Sequence, residues 1–242
     1  MTRIYLGVYI WVAVFSGAPL AAEPGDNPQA AEILNRYLTA SENSRSKTLG
    51  MIMDAEFEAK IPRLRKEGKL FALRHISSLG RVTYNALRFI GDDTVKKEVI
   101  ARYLKAEEEA ASRAAAVAIN PQNYKFRYKG QAIREGKRVH VFELKPHKKQ
   151  VGLFKGELWI DPETYLAVRE SGVLVKNPSL FLKKVEFVRD YEIQDGVSLL
   201  TRLNTTIDTR IVGKTQLAIH YFDYRRDERV SQPASNGGSD NQ

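Results

Sequence analysis

The sequence predicts a mainly β (α+β) fold: a curled antiparallel half-barrel of about ten strands, with an N-terminal helix and a long inserted helix covering the concave face. Three observations lead there. Apolar and polar residues alternate at period two through most of the chain. Met51, Met53, Ala55, Phe57, Ala59 and Ile61, for example, interleave with Ile52, Asp54, Glu56, Glu58 and Lys60. The segments are mostly joined by turns too short for a parallel crossover, so neighbours in sequence pair antiparallel. Helical periodicity interrupts the pattern once in mid-chain, from Thr94 to Ile119. Long strands with one apolar face must curl or pair to hide it, and a partly open barrel with helices across its mouth achieves this.

Each element has its own signal. Asn27-Pro28 opens the first helix, Asn27 as cap and Pro28 at the first position, where its missing N–H costs nothing. Ile33, Leu34, Tyr37 and Leu38 form its apolar face, and polar Ser41 to Ser46 reads as a loop. Strands follow over Met51 to Ile61, Lys69 to Ile76 and Arg81 to Ile90, with a turn at Arg65-Lys66-Glu67-Gly68. The long helix carries Val95, Val99, Tyr103, Ala106, Ala110, Ala114 and Val117 as its stripe. The C-terminal half of that stripe is almost all alanine, so a permanently packed helix and a movable lid are both open readings.

Strands at Asn123 to Gly130 and Lys137 to Lys145 lead into the clearest local unit, a hairpin from Gly156 to Lys176. Asp161-Pro162-Glu163-Thr164 is its turn, with Leu158 and Ile160 on one face and Glu157, Trp159 and Asp161 on the other. The sheet continues through Leu182 to Ile193, Val197 to Ile211 and Gln216 to Tyr224. In these strands Val185, Phe187, Tyr191 and Ile193 share a face, as do Val197, Leu199, Leu203 and Ile207, and Leu217, Ile219 and Tyr221.

At either end the composition changes. Met1 to Ala22 has an early arginine, an apolar run from Ile4 to Phe15 and a small-residue exit. This predicts a signal peptide over 1–22 and a periplasmic destination, with an uncleaved anchor as the alternative. Residues 231–242 are small and polar and are expected to be a disordered tail. The folded domain is expected over 27–224. The chain has no cysteine, which excludes disulfides, thiol nucleophiles and Cys-ligated zinc.

Chemistry leaves few marks. The histidines, His75, His140, His147 and His220, are scattered without metal-ligand spacing, and there is no nucleophile elbow or phosphate loop. Carboxylates repeat every second residue, as on the wet face of a sheet. The expectation is a protein that is not an enzyme, with no cofactor and no metal. The formal net charge of +9 is concentrated in residues 123–150, where nine Lys or Arg face Glu135 and Glu143. Lys125, Arg127 and Lys129 interleave with Tyr124, Phe126 and Tyr128. With Lys137 and Arg138 they are candidates for one anionic-surface contact, either a membrane or an acidic envelope partner. Export argues against nucleic acid, and a merely solubilising basic face is the alternative.

The exported chain, opening helix, strand set with an inserted helix, and Leu158-Trp159-Ile160-Asp161-Pro162-Glu163-Thr164 followed by Val168-Arg169 resemble the periplasmic lipoprotein carrier and receptor superfamily. The likeness is to the LolA/LolB kind and its outer membrane lipoprotein-sorting relatives. It implies an antiparallel half-barrel whose apolar concave face holds lipid or lipoprotein acyl chains, a role in envelope trafficking, and partners of that class. The residues that would line such a cavity are Met53, Phe57, Phe187, Tyr191, Leu203 and Ile219, on the more apolar faces of their strands, with Tyr103 from the helix. The alternative is an envelope interaction protein that uses the half-barrel as a docking surface.

Overall fold

A computed structural model describes residues 27–111 and 113–227. The expected signal peptide over 1–22 and the tail over 231–242 lie outside the described residues. Ten strands form one antiparallel sheet: β1 (Met51–Ile61), β2 (Lys66–Ile76), β3 (Val82–Gly91), β4 (Tyr124–Arg134), β5 (Lys137–Pro146), β6 (Phe154–Ile160), β7 (Ala167–Leu174), β8 (Leu182–Gln194), β9 (Val197–Thr209) and β10 (Lys214–Arg226). Their order is β3-β2-β1-β10-β9-β8-β7-β6-β5-β4. The last strand pairs with the first, while β3 and β4, consecutive in sequence, are the two open edges. The chain between them must therefore cross from one edge to the other. It does so over the inner face, touching β1, β2, β3 and β10.

Residues one position apart lie on opposite faces, and the register draws each face as a row. The inner row reads Tyr128, Phe142, Leu158, Glu170, Arg189, Leu203, Ile219, Phe57, Leu70, Phe89 from β4 to β3. The outer row beside it reads Arg127, Glu143, Glu157, Ser171, Val188, Asn204, Ala218, Glu58, Lys69, Ile90. Register shifts interrupt the pairings β1–β10, β2–β3, β4–β5, β6–β7 and β8–β9 and help the sheet curl. Glycine permits closer approach where β6 meets β7: a Cβ on Gly156 would sit 1.9 Å from the Ser171 carbonyl oxygen, and one on Gly172 would sit 2.5 Å from the Phe154 ring.

Helix α1 (Pro28–Thr48) begins as the sequence predicts, with Asn27 Oδ1 accepting from the N–H groups of Gln29 and Ala30. It buries Ile33, Leu34 and Tyr37 and lies on β9. The loop expected at Ser41 to Ser46 is instead helix. Hydroxyls that favour loops bond here to the preceding turn, Ser41 to the Leu38 carbonyl (3.0 Å) and Ser46 to that of Asn43 (2.8 Å). Buried Ser44 accepts from the Ser198 N–H at 2.8 Å, which ties this turn to β9.

The single helix expected from Thr94 to Ile119 is several pieces. They are α2 (Asp93–Val95), a π-turn (Lys96–Ile100), α3 (Ala101–Ala111) and α4 (Ala114–Val117). The π-turn places both Val99 and Ile100 on the sheet and advances the phase by a residue. Ala106 and Ala110, part of the expected stripe, are consequently exposed, and Tyr103, Leu104, Glu107 and Ala111 turn inward. The face expected in β9 is split as well. Asp190 is opposite Arg202 but Tyr191 is opposite Leu200, so Thr201 is an extra residue and Leu203 joins the inner core without Val197 and Leu199.

Candidate functional site

The expected lining residues are on the inner face. Met53, Phe57 and Ile219 have no exposure, Leu203 and Phe187 are buried, and Tyr103 and Tyr191 pack at the margin of the same core. Phe57 meets Tyr84 and Tyr103 edge-on, with ring centroids at 5.6 and 6.0 Å. These side chains fill the concave face beneath Val95, Val99 and Ile100. The helix above them is lightly seated: α3 fully buries none of its residues.

A polar cluster fastens α3. Arg74 on β2 donates from Nε and Nη2 to Glu107 Oε1 at 3.1 and 2.8 Å, and its guanidinium stands 5.3 Å from the Tyr221 ring. The Tyr84 hydroxyl donates to Glu107 Oε2, and the hydroxyls of Tyr103 and Tyr221 are 3.4 Å apart. Burial acts to lower the Arg74 pKa, but the facing carboxylate of Glu107 holds it well above its ordinary value. Burial, reinforced by the negative charge of Glu107, pushes Tyr84 and Tyr103 well up and Tyr221 to about 12.

A second ion pair interrupts the inner row. Glu170 on β7 faces Arg189 on β8, with Arg189 Nη1 donating to Glu170 Oε2 at 3.0 Å. The Arg189 guanidinium lies 4.7 Å from the Phe187 ring. Burial, with the charge of Glu170 added, raises the pKa of Tyr191 and that of Tyr37 on α1. Burial also opposes the Arg189 charge, but Tyr191 and Glu170 more than offset it.

The basic candidates do not form the single patch expected. Lys125 is opposite Lys145, and Arg127 pairs with Glu143. Lys129 falls at the irregularity between Tyr128 and Gly130, which takes it out of the alternation. Lys137 and Arg138 lie at the other end of the hairpin, opposite Arg134 and Ile133. The outer face instead gathers Arg134 and Arg169 on Asp190, at 3.0 and 2.9 Å, with Arg169 5.8 Å from the Trp159 ring. It also holds an open trough of about 380 Å³ floored by Asn204, Thr206 and Ala218 and flanked by Glu58, Lys60 and Glu186.

No family model matches this chain, and no curated protein matches it. Solved structures do. A DUF1329 family protein from Desulfovibrio piger is 13% identical, with 81% of this chain and 93% of that chain covered and a TM-score of 0.41. An outer membrane lipoprotein-sorting protein domain from Vibrio parahaemolyticus is 14% identical, with 81% and 91% covered and a TM-score of 0.41. A LolA superfamily protein from Nitrosomonas europaea is 11% identical, with 83% and 97% covered and a TM-score of 0.41.

Sequence reasoning missed both inner ion pairs. Their signal was present: Arg74 shares the parity of Leu70 and Ala72, and Arg189 that of Val185 and Phe187. A charge on the apolar parity was the mark, and reading only the apolar members of each face passed over it. Among the described residues no group of three or more His, Asp or Glu could hold a metal ion.

Proposed function

We propose that this protein is an exported, periplasmic carrier that receives lipid or lipoprotein acyl chains on the concave face of its half-barrel when α3 lifts. The observation that carries the reading is the light seating of α3 over a row of aromatic and aliphatic side chains. Lifting it breaks the Arg74–Glu107 and Tyr84–Glu107 contacts and withdraws Tyr103 from Phe57 and Tyr221, all without unfolding a strand. An acyl chain that replaces the helix recovers about 0.8 kcal/mol per buried CH₂, enough over a long chain to offset those contacts. Cleavage near Ala22 delivers the mature chain, and no helix among the described residues is long and apolar enough to cross a membrane. The reading includes no catalysis and no cofactor.

The test is native mass spectrometry of protein purified from its own envelope, together with uptake of a fluorescent fatty acid. Co-purified acyl species, and faster uptake by Glu107→Ala, are expected. Absence of both co-purified lipid and uptake sinks the carrier reading. It would leave the second reading, an envelope protein that docks partners on a rigid half-barrel, which the complete burial of Met53, Phe57 and Ile219 favours.

A further inference from the structure

The inner row holds one feature that apolar acyl contacts do not use. Between Leu158 and Leu203, in a row otherwise of aliphatic and aromatic residues, stand Glu170 and Arg189. Stability does not require a charged pair there, because well-packed hydrophobic residues in place of a buried pair are often as stable or more so. Nor is the pair sealed. The Arg189 side chain is 39% exposed and that of Glu170 10%, while Leu203 and Ile219 next in the row are 4% and 0%. Arg74, by contrast, is 12% exposed and is spent on Glu107 and on the Met53 sulfur. Among the described residues Arg189 donates one hydrogen bond, to Glu170. A guanidinium has five N–H donors in a planar fork that matches a carboxylate or a phosphate.

We infer that Arg189, held in place by Glu170 and the Phe187 ring, is the anchor for an acidic headgroup, a carboxylate or phosphate monoester, on the acyl ligand. This rests on the acyl-carrier reading above. Glu170 fixes one edge of the guanidinium and leaves the others for the head. The tail then runs along Leu203, Ile219, Phe57 and Leu70. Those residues carry it from β8 to β2, four strand spacings or about 19 Å, a span comparable to an extended long acyl chain. The head would stay at the water-accessible position in the row while the tail takes the sealed ones.

The experiment titrates the mature chain with dodecanoate, dodecyl phosphate and dodecanol below their aggregation concentrations, by displacement of a fluorescent acyl probe. Wild type is expected to prefer an anion to the alcohol by about tenfold or more, the difference a charge-assisted hydrogen bond supplies. The two anion arms separate a fatty acid source from a phospholipid-type one. R189Q combined with E170Q, which leaves no orphaned charge, is expected to remove the preference while dodecanol binds as before. E170Q alone retains or raises the preference, and R189K, which keeps the charge but not the fork, lowers it. Equal binding of anions and alcohol by wild type overturns the anchor and leaves the carrier standing, as does a preference that survives the double substitution. Failure of all three probes to bind overturns the carrier reading itself.

Discussion

The two faces of the sheet share every strand and differ by one residue in register, yet they answer to different physics. On the inner row Phe57 is sealed between Ile219, Leu70 and the rings of Tyr84 and Tyr103. Its neighbour Glu58 stands on the outer row between Ala218 and Lys69, in an ion pair with Lys69 whose partners remain 40% and 49% exposed. The difference teaches where stability and function divide. The inner row makes the core, and Glu170 and Arg189 are the two members at which it is not apolar. β8 shows the inversion most plainly, since Val188 faces outward beside the inward Arg189.

The largest effect should come from breaking the inner row. Phe57→Ala is expected to cost about 3–5 kcal/mol, because the ring is fully buried and its cavity is walled by strands that cannot collapse. Glu58→Ala, one residue on, should stay within about 0.5 kcal/mol. Urea denaturation of both variants checks the pair, and similar losses for the two would mean that the faces are wrongly assigned.

Next comes the fastening of the cover. Glu107→Ala removes the acceptor for two Arg74 bonds and one from Tyr84, worth about 1.5–3 kcal/mol if lost globally. The loss should be local. Hydrogen exchange is expected to show protection falling across Ala101–Ala111 while β1 and β10 keep theirs. Protection lost equally in helix and strands would make α3 part of the core and remove its role as a cover.

Much of this architecture was legible beforehand, for a definite reason. The alternation in β1 holds from Met53 to Ile61 because no bulge interrupts its inner half, and Asp161 makes the turn it promised, with Oδ1 accepting from the N–H groups of Glu163 and Thr164. What was not legible depends on one-residue offsets. The π-turn at Lys96–Ile100 and the extra residue Thr201 each move the following residues to another face, and nothing local in Lys-Lys-Glu-Val-Ile announces it. Arg74 and Glu107 are 33 residues apart, so only the path of the helix over β2 brings them together. Lys129 departs from its expected face for a related reason: the ladder slips between Tyr128 and Gly130, inside the strand where alternation was expected to hold.

A smaller effect is expected from base. Tyr84, Tyr103 and Tyr221 lie under α3 with pKa values raised by burial and by Glu107, that of Tyr221 to about 12. A group whose pKa is raised on folding stabilises fully below its unfolded value, near 10, and loses that contribution as pH rises through the folded value. The inner face should therefore weaken between about pH 10 and 12, and absorbance at tyrosinate wavelengths should rise in two stages, exposed phenols first. A single reversible titration near pH 10 with the fold intact would show that water already reaches the cluster.

The smallest effect belongs to acid and tests the far end of the same row. His140 on β5 is buried, its Nδ1 lies 2.9 Å from the Tyr128 hydroxyl, and burial holds its pKa below the usual histidine value while Asp161 pulls slightly upward. The unfolded chain then binds a proton more readily than the folded one. Its contribution is present above the unfolded pKa of about 6.5 and is lost as pH falls below it. His140→Gln retains a polar partner for Tyr128 and cannot charge, so its melting temperature should be less sensitive to acid between about pH 6.5 and 5 than that of wild type. Identical acid profiles would show that the imidazole titrates as though in water. The β4–β5 end of the inner row would then be open where the β1–β2 end is sealed.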